Sequence, residues 1–406
     1  MEKVSALKIK EFKFFLLTRL SMVLATQMQA VIVGWQVYEI TKDPFSLGLI
    51  GLAEAIPSIL ISLYAGHVVD RNDRKKIIFW ASLGMIFCSV SLLFISTNIS
   101  SLLADNRLVL IYSVIFLSGI ARGYLSPANF AFLAQIVPRE IYPNAISWNT
   151  SNWQFGMVVG PALGGLIYGF AGVTAAYAVD ALLTFASIGF LMMIKSKPVP
   201  DFNEEESLKD SLTAGVKFVF KNKIILGAIS LDLFAVLFGG AVAILPIYAG
   251  EILLVGPEGL GALRAAPAVG AVMMAIYMTR RPLTKNAGRN LLVTVFLFGL
   301  SMMIFGISKS FYLSLFALAL SGAFDAVSVV IRSLIIQLKT PDNMKGRVSS
   351  VDSIFVGSSN EIGAFESGLM AKLMGTVPSV VFNSVMTLIV VVVIAAGSPK
   401  LRKLKL

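Results

Sequence analysis

Four ionisable residues stand in stretches of sequence otherwise suited to lipid: Glu54 in GLAEAIPSIL, Arg122 in SGIARGYLS, Asp232 in ISLDLFAVL and Glu361 in SSNEIGAFE. A charge at the centre of a membrane helix costs about 2.5–3.5 kcal/mol on insertion scales, so it needs a partner, a wet cavity or a task. Desolvation favours the neutral form of a buried carboxylate, and a nearby arginine favours the charged one. A carboxyl balanced between the two can take a proton on one side of a membrane and release it on the other. Glu54, Asp232 and Glu361 are therefore candidate proton carriers. For Asp232 the structural reading, a salt bridge to an arginine, stands beside this one.

Polar stripes accompany these charges. Arg19, Met22, Thr26, Gln29, Val33 and Gln36 recur at helical spacing in the first apolar stretch. Ser118, Arg122, Ser126 and Asn129 do the same in the fourth, and Asp325, Ser328 and Arg332 in the tenth. Such stripes line a substrate path or make hydrogen bonds between helices. Arg19, Thr26, Gln29, Asp325 and Arg332 are the cavity candidates. Glu366 lies five residues from Glu361, on another face. A single His (His67) and a single Cys (Cys88) leave no Ser-His-Asp or Cys-His set, no metal-ligand spacing and no disulfide within the chain. No metal and no cofactor are expected. The phosphate loop G-x-x-x-x-G-K-(S/T) is absent, so energy from ATP is not expected either.

The elements that must hold these residues follow from composition. The chain has 406 residues, 56% hydrophobic and 14% charged, with mean hydropathy +0.81. Apolar runs of about 20 residues recur, the length of a membrane-spanning helix. They lack the strict alternation of a barrel. Twelve spans are predicted near 13–39, 44–67, 76–97, 107–135, 141–169, 172–193, 222–251, 256–280, 290–308, 310–338, 349–373 and 377–397. With both termini inside, only Lys42, Arg107 and Lys309 fall in outer loops. Arg19, Arg122, Arg264, Arg332 and Lys372 lie in spans, and every other Lys and Arg lies in or beside an inner segment. The net charge of +11 is thus a membrane-topology signal, and no nucleic-acid partner is expected. The charged N-terminus runs into a long span with no small-residue cleavage site and reads as retained.

Residues 194–221 are the one long polar interruption. Leu208, Leu212, Val216 and Val219 predict an amphipathic helix there, on the inner membrane face. The chain then divides into 1–193, a six-helix half, 194–221, a cytoplasmic linker, and 222–406, a second six-helix half. A shift of 203 residues superposes Leu117-Ser118-Gly119 on Leu320-Ser321-Gly322, Pro138 on Pro341, Gly160 on Gly363 and Gly165 on Gly368. Two parallel repeats with a site between them are a common transporter plan.

The turn after the second span reads GHVVDRNDRKKI, residues 66–77. Gly66 permits close helix approach, Asp70 suits a helix cap or an arginine partner, and Arg71, Arg74, Lys75 and Lys76 anchor the turn to the inner leaflet. This turn resembles the loop pattern G-x-x-x-D-R-x-G-R-(K/R)-x of the major facilitator superfamily. It departs at Asp73, where the family usually has Gly, so the left-handed conformation there is harder to adopt. The resemblance implies a latch between Asp70 and the start of the eleventh helix, near Arg347, that holds the outward-open state.

In the fifth span, GMVVGPALGG at 156–165 resembles the antiporter motif of the same superfamily. Gly156, Gly160, Pro161, Gly164 and Gly165 match all its positions, implying a pliant, leak-tight helix packed on the eighth. Arg122 matches the family's fourth-helix arginine, which implies an influence on proton release from a nearby acid. Asp180 falls in the sixth helix, which in this fold lies outside the cavity ring and implies a structural role. Phrases such as DLFAVLFGGAVAILP and GRVSSVDSIFVGSSNEIGAFESG resemble the drug-efflux and enterobactin-exporter-like branch.

The expectation is therefore an all-α, twelve-helix transporter of the major facilitator fold, monomeric, in a bacterial inner membrane. It would export a small amphipathic compound, such as a drug or siderophore, by proton antiport with alternating access, its partners being substrate, protons and membrane lipids. The alternatives are a lipid or lysolipid flippase and a non-transporting membrane sensor or scaffold. No catalytic constellation supports an enzyme.

Overall fold

The computed structural model describes residues 6–97, 106–198, 208–280, 286–341 and 344–404, and these contain helix and no strand. The long elements are α1 (Lys10–Thr41), α2 (Pro44–Arg71), α3 (Arg74–Ser96), α4 (Arg107–Ile136), α5 (Tyr142–Met192), α6 (Leu208–Lys221), α7 (Lys223–Gly239), α8 (Gly256–Arg280), α9 (Ala287–Ile307), α10 (Phe311–Lys339), α11 (Lys345–Met374) and α12 (Thr376–Gly397). In lipid every backbone donor must be satisfied within its own segment, which selects helix.

Among the described residues, ten helices are long and apolar enough to cross a membrane. Two physical features separate this number from the twelve spans predicted. α5 has 51 residues, about 76 Å at 1.5 Å per residue and more than twice a bilayer core. It is broken at Gly172, where φ 82° and ψ 172° are non-helical. α11 is not among the ten, since it carries Lys345, Arg347, Asp352, Glu361, Glu366 and Lys372 within thirty residues.

Helix ends follow local chemistry. Asp73 caps α3, its carboxylate accepting from the backbone N–H of Lys75 at 2.9 Å and of Lys76 at 3.4 Å. Its φ of −60° and ψ of 110° are extended. The left-handed geometry considered from sequence is therefore not used, and the departure from glycine gives a cap instead. Asn222 caps α7 in the same way, accepting from Ile224 and Ile225.

The chain forms two compact units. Unit 1 is 1–41, 53–203 and 256–265, and unit 2 is 42–52, 204–255 and 266–406. These departures from a straight division of the chain have a packing cause. In unit 2, a Cβ added at Gly368 of α11 would lie 2.7 Å from both Gly48 Cα and Pro44 O, at the start of α2. In unit 1, a Cβ added at Gly165 of α5 would collide with Pro257 O and lie 2.9 Å from Gly261 Cα, at the start of α8. Both contacts join a Pro-x-x-x-Gly helix start to a glycine, and only glycine permits the approach.

Unit 1 packs around Phe12, Phe15, Met85, Phe132 and Ile136, and unit 2 around Leu231, Leu291, Ile331 and Ile335. The amphipathic α6 buries Val219 against Ile225, Ile336 and Val348. The side chains of Leu208 and Leu212 lie outside those described. Large apolar side chains such as Phe130, Phe170 and Tyr312 are exposed, as suits lipid-facing helices.

Candidate functional site

In unit 1 the charges at Glu54 and Arg122 find each other. Gly119 and Gly123 flank Arg122 on α4, and they let α2 come close. A Cβ at Gly119 would strike the Glu54 carbonyl, and one at Gly123 would lie 2.8 Å from Ile61 Cγ2. Arg122 Nη1 then pairs with Glu54 Oε1. Arg122 Nη2 donates to Gln29 Oε1 at 3.3 Å, and Gln29 Nε2 donates to Asp180 Oδ2 at 3.4 Å. The result is a line of four side chains, Glu54–Arg122–Gln29–Asp180, drawn from α2, α4, α1 and the second arm of α5.

A cavity of about 210 Å³ borders this line, with Arg19, Thr26, Ser82, Arg122, Asn129 and Trp153 on its wall. Met22 and Ser126 also line it, so the polar stripes of α1 and α4 meet on one space. Three of its polar atoms are buried and without a hydrogen-bond partner: Ser82 Oγ, Arg122 Nε and Asn129 Oδ1. Buried polar atoms are nearly always satisfied, by protein, water or ligand, so an orphaned donor, acceptor and hydroxyl leave hydrogen-bonding capacity on one wall. Among the described residues no carboxylate lines it. Arg19 lies over the Trp153 ring, 5.8 Å from its centroid.

Unit 2 treats its charges differently. Arg332 Nη1 lies 3.1 Å from Asp232 Oδ2 and 2.8 Å from Asp352 Oδ1. The guanidinium is clamped between two carboxylates, with side-chain exposures of 5% for Arg332 and 4% for Asp232. Asp325 is within electrostatic reach of both Asp232 and Arg332. Elsewhere on α11, Glu366 accepts from Asn383 Nδ2 at 2.8 Å, and Glu361 Oε2 would lie 3.7 Å from a Cβ at Gly51. Among the described residues no cluster of His, Cys, Asp or Glu is arranged to hold a metal.

The turn after α2 is stapled within unit 1. Arg74 Nη1 donates to Ala131 O at 3.1 Å, at the end of α4, and Lys75 Nζ donates to Ile194 O beyond α5. Arg71 ends α2 and is exposed. Among the described residues, a Cβ at Gly66 would meet nothing within 4 Å. The side chain of Asp70 lies outside those described. Arg347 Nη1 contacts Met344 Sδ at 3.5 Å.

The glycines of 156–165 pack mainly on α1, where an eighth-helix partner was expected. Cβ atoms at Gly156, Gly160 and Gly164 would press on Val23, Gln27 and Met28, and only Gly165 meets α8, while Pro161 O approaches Gly261.

Asp180, for which the helix order implies a structural role, is buried and ends the Glu54 line through Gln29. Asp352 was not singled out, though a buried Arg332 demands a carboxylate and α11 places one a turn beyond Arg347. The Gly119-x-x-x-Gly123 pair around Arg122 was the local signal that α2 would come within reach.

A family model described as "Transmembrane secretion effector" matches residues 2–405. An enterobactin exporter from Shigella boydii serotype 18 (strain CDC 3083-94 / BS512) is 27% identical over 398 residues, covering 97% of this chain and 93% of that protein. The fold is similar to that of a POT family transporter crystallised with 5-aminolevulinic acid, at TM-score 0.76 and 11% identity, with 96% of each chain covered. It is likewise similar to an inward-facing bacterial homologue of the iron transporter ferroportin, at TM-score 0.72 and 15% identity, covering 99% of this chain and all of that one.

Proposed function

The chain belongs to the transmembrane secretion effector family of major facilitator transporters, and from that premise we propose that it exports a hydroxyl-bearing amphipathic compound in exchange for protons. The observation that carries this reading is the unit 1 cavity, whose three unpaired polar atoms sit beside the Glu54–Arg122 pair. A cargo hydroxyl both donates and accepts, so it can answer Asn129 Oδ1 and Arg122 Nε together. Aromatic or aliphatic surface would lie on Met22, Leu125 and Trp153.

Exchange requires that proton and cargo compete. The ion pair uses Oε1 of Glu54, which leaves Oε2 for a proton, while the cargo meets Arg122 on the cavity wall. A proton on Glu54 removes its negative charge and so loosens Arg122, whose second amino group already leans on Gln29 and through it on Asp180. In this scheme Glu54 carries the proton, Arg122 controls its release, and Asp180 holds the opposite end of the line. Asp232 sits in the clamp around Arg332 and is given a structural role. Alternating access, the Asp70–Arg347 latch and an inner-membrane location with both termini inside complete the proposal. The relatives' name makes enterobactin the first cargo to try.

The test uses purified protein in liposomes that enclose a pH dye. Enterobactin, other catecholates, macrolides and cationic dyes are added across an imposed pH gradient, and proton flux is followed. The expected result is cargo-dependent flux that disappears in Glu54→Gln and persists in Glu361→Gln. Absence of flux with every compound, while a fluorescent lysolipid still crosses the bilayer, would overturn exchange and favour a flippase.

A further inference from the structure

A second and larger hollow lies on unit 1. It has a volume of about 840 Å³ and runs between α3 and α4 from the end of α2. Its two ends differ. At one stand Arg71, Asn72, Asp73 and Lys76. Asp73 turns its carboxylate to the N-terminus of α3, and two basic side chains against this one acid leave the end with a single net positive charge. The rest is apolar. Ala81, Gly84 and Ala121 form the floor, where a Cβ at Gly84 would lie 3.6 Å from Ala121 Cβ. Trp80 and Phe87 stand up as walls, 66% and 61% exposed.

The dimensions choose the occupant. From Lys76 to Cys88 the groove follows twelve residues of α3, about 18 Å of helix. Half the hydrocarbon core of a bilayer is about 15 Å. The groove is one leaflet deep, cationic where headgroups lie and lined with rings and small side chains where an acyl chain lies. We propose that it is a binding site for an anionic phospholipid, with the phosphate on Arg71 and Lys76 and one acyl chain between Trp80 and Phe87. This assignment does not depend on proton exchange or on the cargo.

The test offers the delipidated full-length protein phosphatidylglycerol or phosphatidylcholine of equal chain length, and native mass spectrometry counts the adducts. One net positive charge at an anionic lipid favours binding about fivefold, so the groove predicts a preference of about fivefold for phosphatidylglycerol. The Arg71→Gln, Lys76→Gln double variant should bind the two lipids equally. Gly84→Leu keeps both charges and fills the floor, and it should also lose the adduct, with Gly84→Ala between it and the parent. Equal retention of the two lipids by the parent protein would overturn the proposal. So would undiminished phosphatidylglycerol binding in the charge variant, which decides the matter even if Gly84→Leu fails to fold.

Discussion

Arg122 in unit 1 and Arg332 in unit 2 each neutralise a buried carboxylate, yet one does so on the wall of a cavity and the other in a sealed clamp. Arg122 and Glu54 keep 23% and 22% of their side-chain surface exposed. Arg332 and Asp232 keep 5% and 4%. Arg122 also divides its donors between a carboxylate and an amide, so its pairing can be exchanged with little loss. Arg332 offers one nitrogen to two carboxylates. An ion pair can act as a switch only where its partners have somewhere else to go, and unit 1 supplies that place.

The comparison is broken most directly at Arg332. Arg332→Leu leaves Asp232 and Asp352 facing each other without a cation, and removing one partner of a buried pair costs about 3–5 kcal/mol. Thermal unfolding in detergent at pH 7 should register it as the largest loss among these variants. Arg122→Leu should cost less, about 1.5–3 kcal/mol for hydrogen bonds to charged groups, while abolishing cargo-dependent flux in liposomes. Equal losses of stability in the two variants would erase the distinction between switch and clamp.

Packing offers a control in which the two units should agree. Gly165→Leu and Gly368→Leu each force a side chain into a Pro-x-x-x-Gly helix start, and overpacking costs about 1–3 kcal/mol. Their melting temperatures should fall by similar amounts. A large difference would mean that one of the two contacts is not maintained.

The smallest effect is expected at Asp43, outside the spans. Burial opposes its charge, but the Lys372 ammonium at 2.6 Å and the hydrogen bonds from Ser46 outweigh it and hold the carboxyl below its ordinary value. A lowered value in the folded state means stability that is fully present above the unfolded value, about 3.9, and lost as pH falls through the folded one. Lys372 is more than half exposed, so the pair contributes under about 1 kcal/mol. Asp43→Asn should lower the melting temperature slightly at pH 7, and the difference should vanish in strong acid.

What could be read from the sequence depended on the distance over which the signal acts. The polar stripes of α1 and α4 are local periodicities, and they do meet on one cavity. The offset of 203 that aligns Gly165 with Gly368 also marks equivalent contacts. Their partners escaped notice because Pro44 and Gly48 match Pro257 and Gly261 at an offset of 213, ten residues out of step with the rest. Gly66 looked like a packing glycine because small residues usually are, and only the fold shows that, among the described residues, none comes within 4 Å of a Cβ there. Helix order implies a structural Asp180 but does not tell that a side chain such as Gln29 bridges to it. Asp352 needed the knowledge that α10 and α11 are neighbours.

The break at Gly172 has a consequence for how the protein is made. Its φ and ψ belong to a region open essentially to glycine alone, and a single residue there stands in place of a loop, as Gly375 does between α11 and α12. The two arms of α5 must therefore leave the translocation machinery as one helical hairpin, since neither can wait in water for the other. The same economy leaves a protease or an inserted tag almost no backbone to grip at that point. Any residue other than glycine at 172 should thus appear first as a defect of membrane insertion, before the finished transporter has a chance to fail.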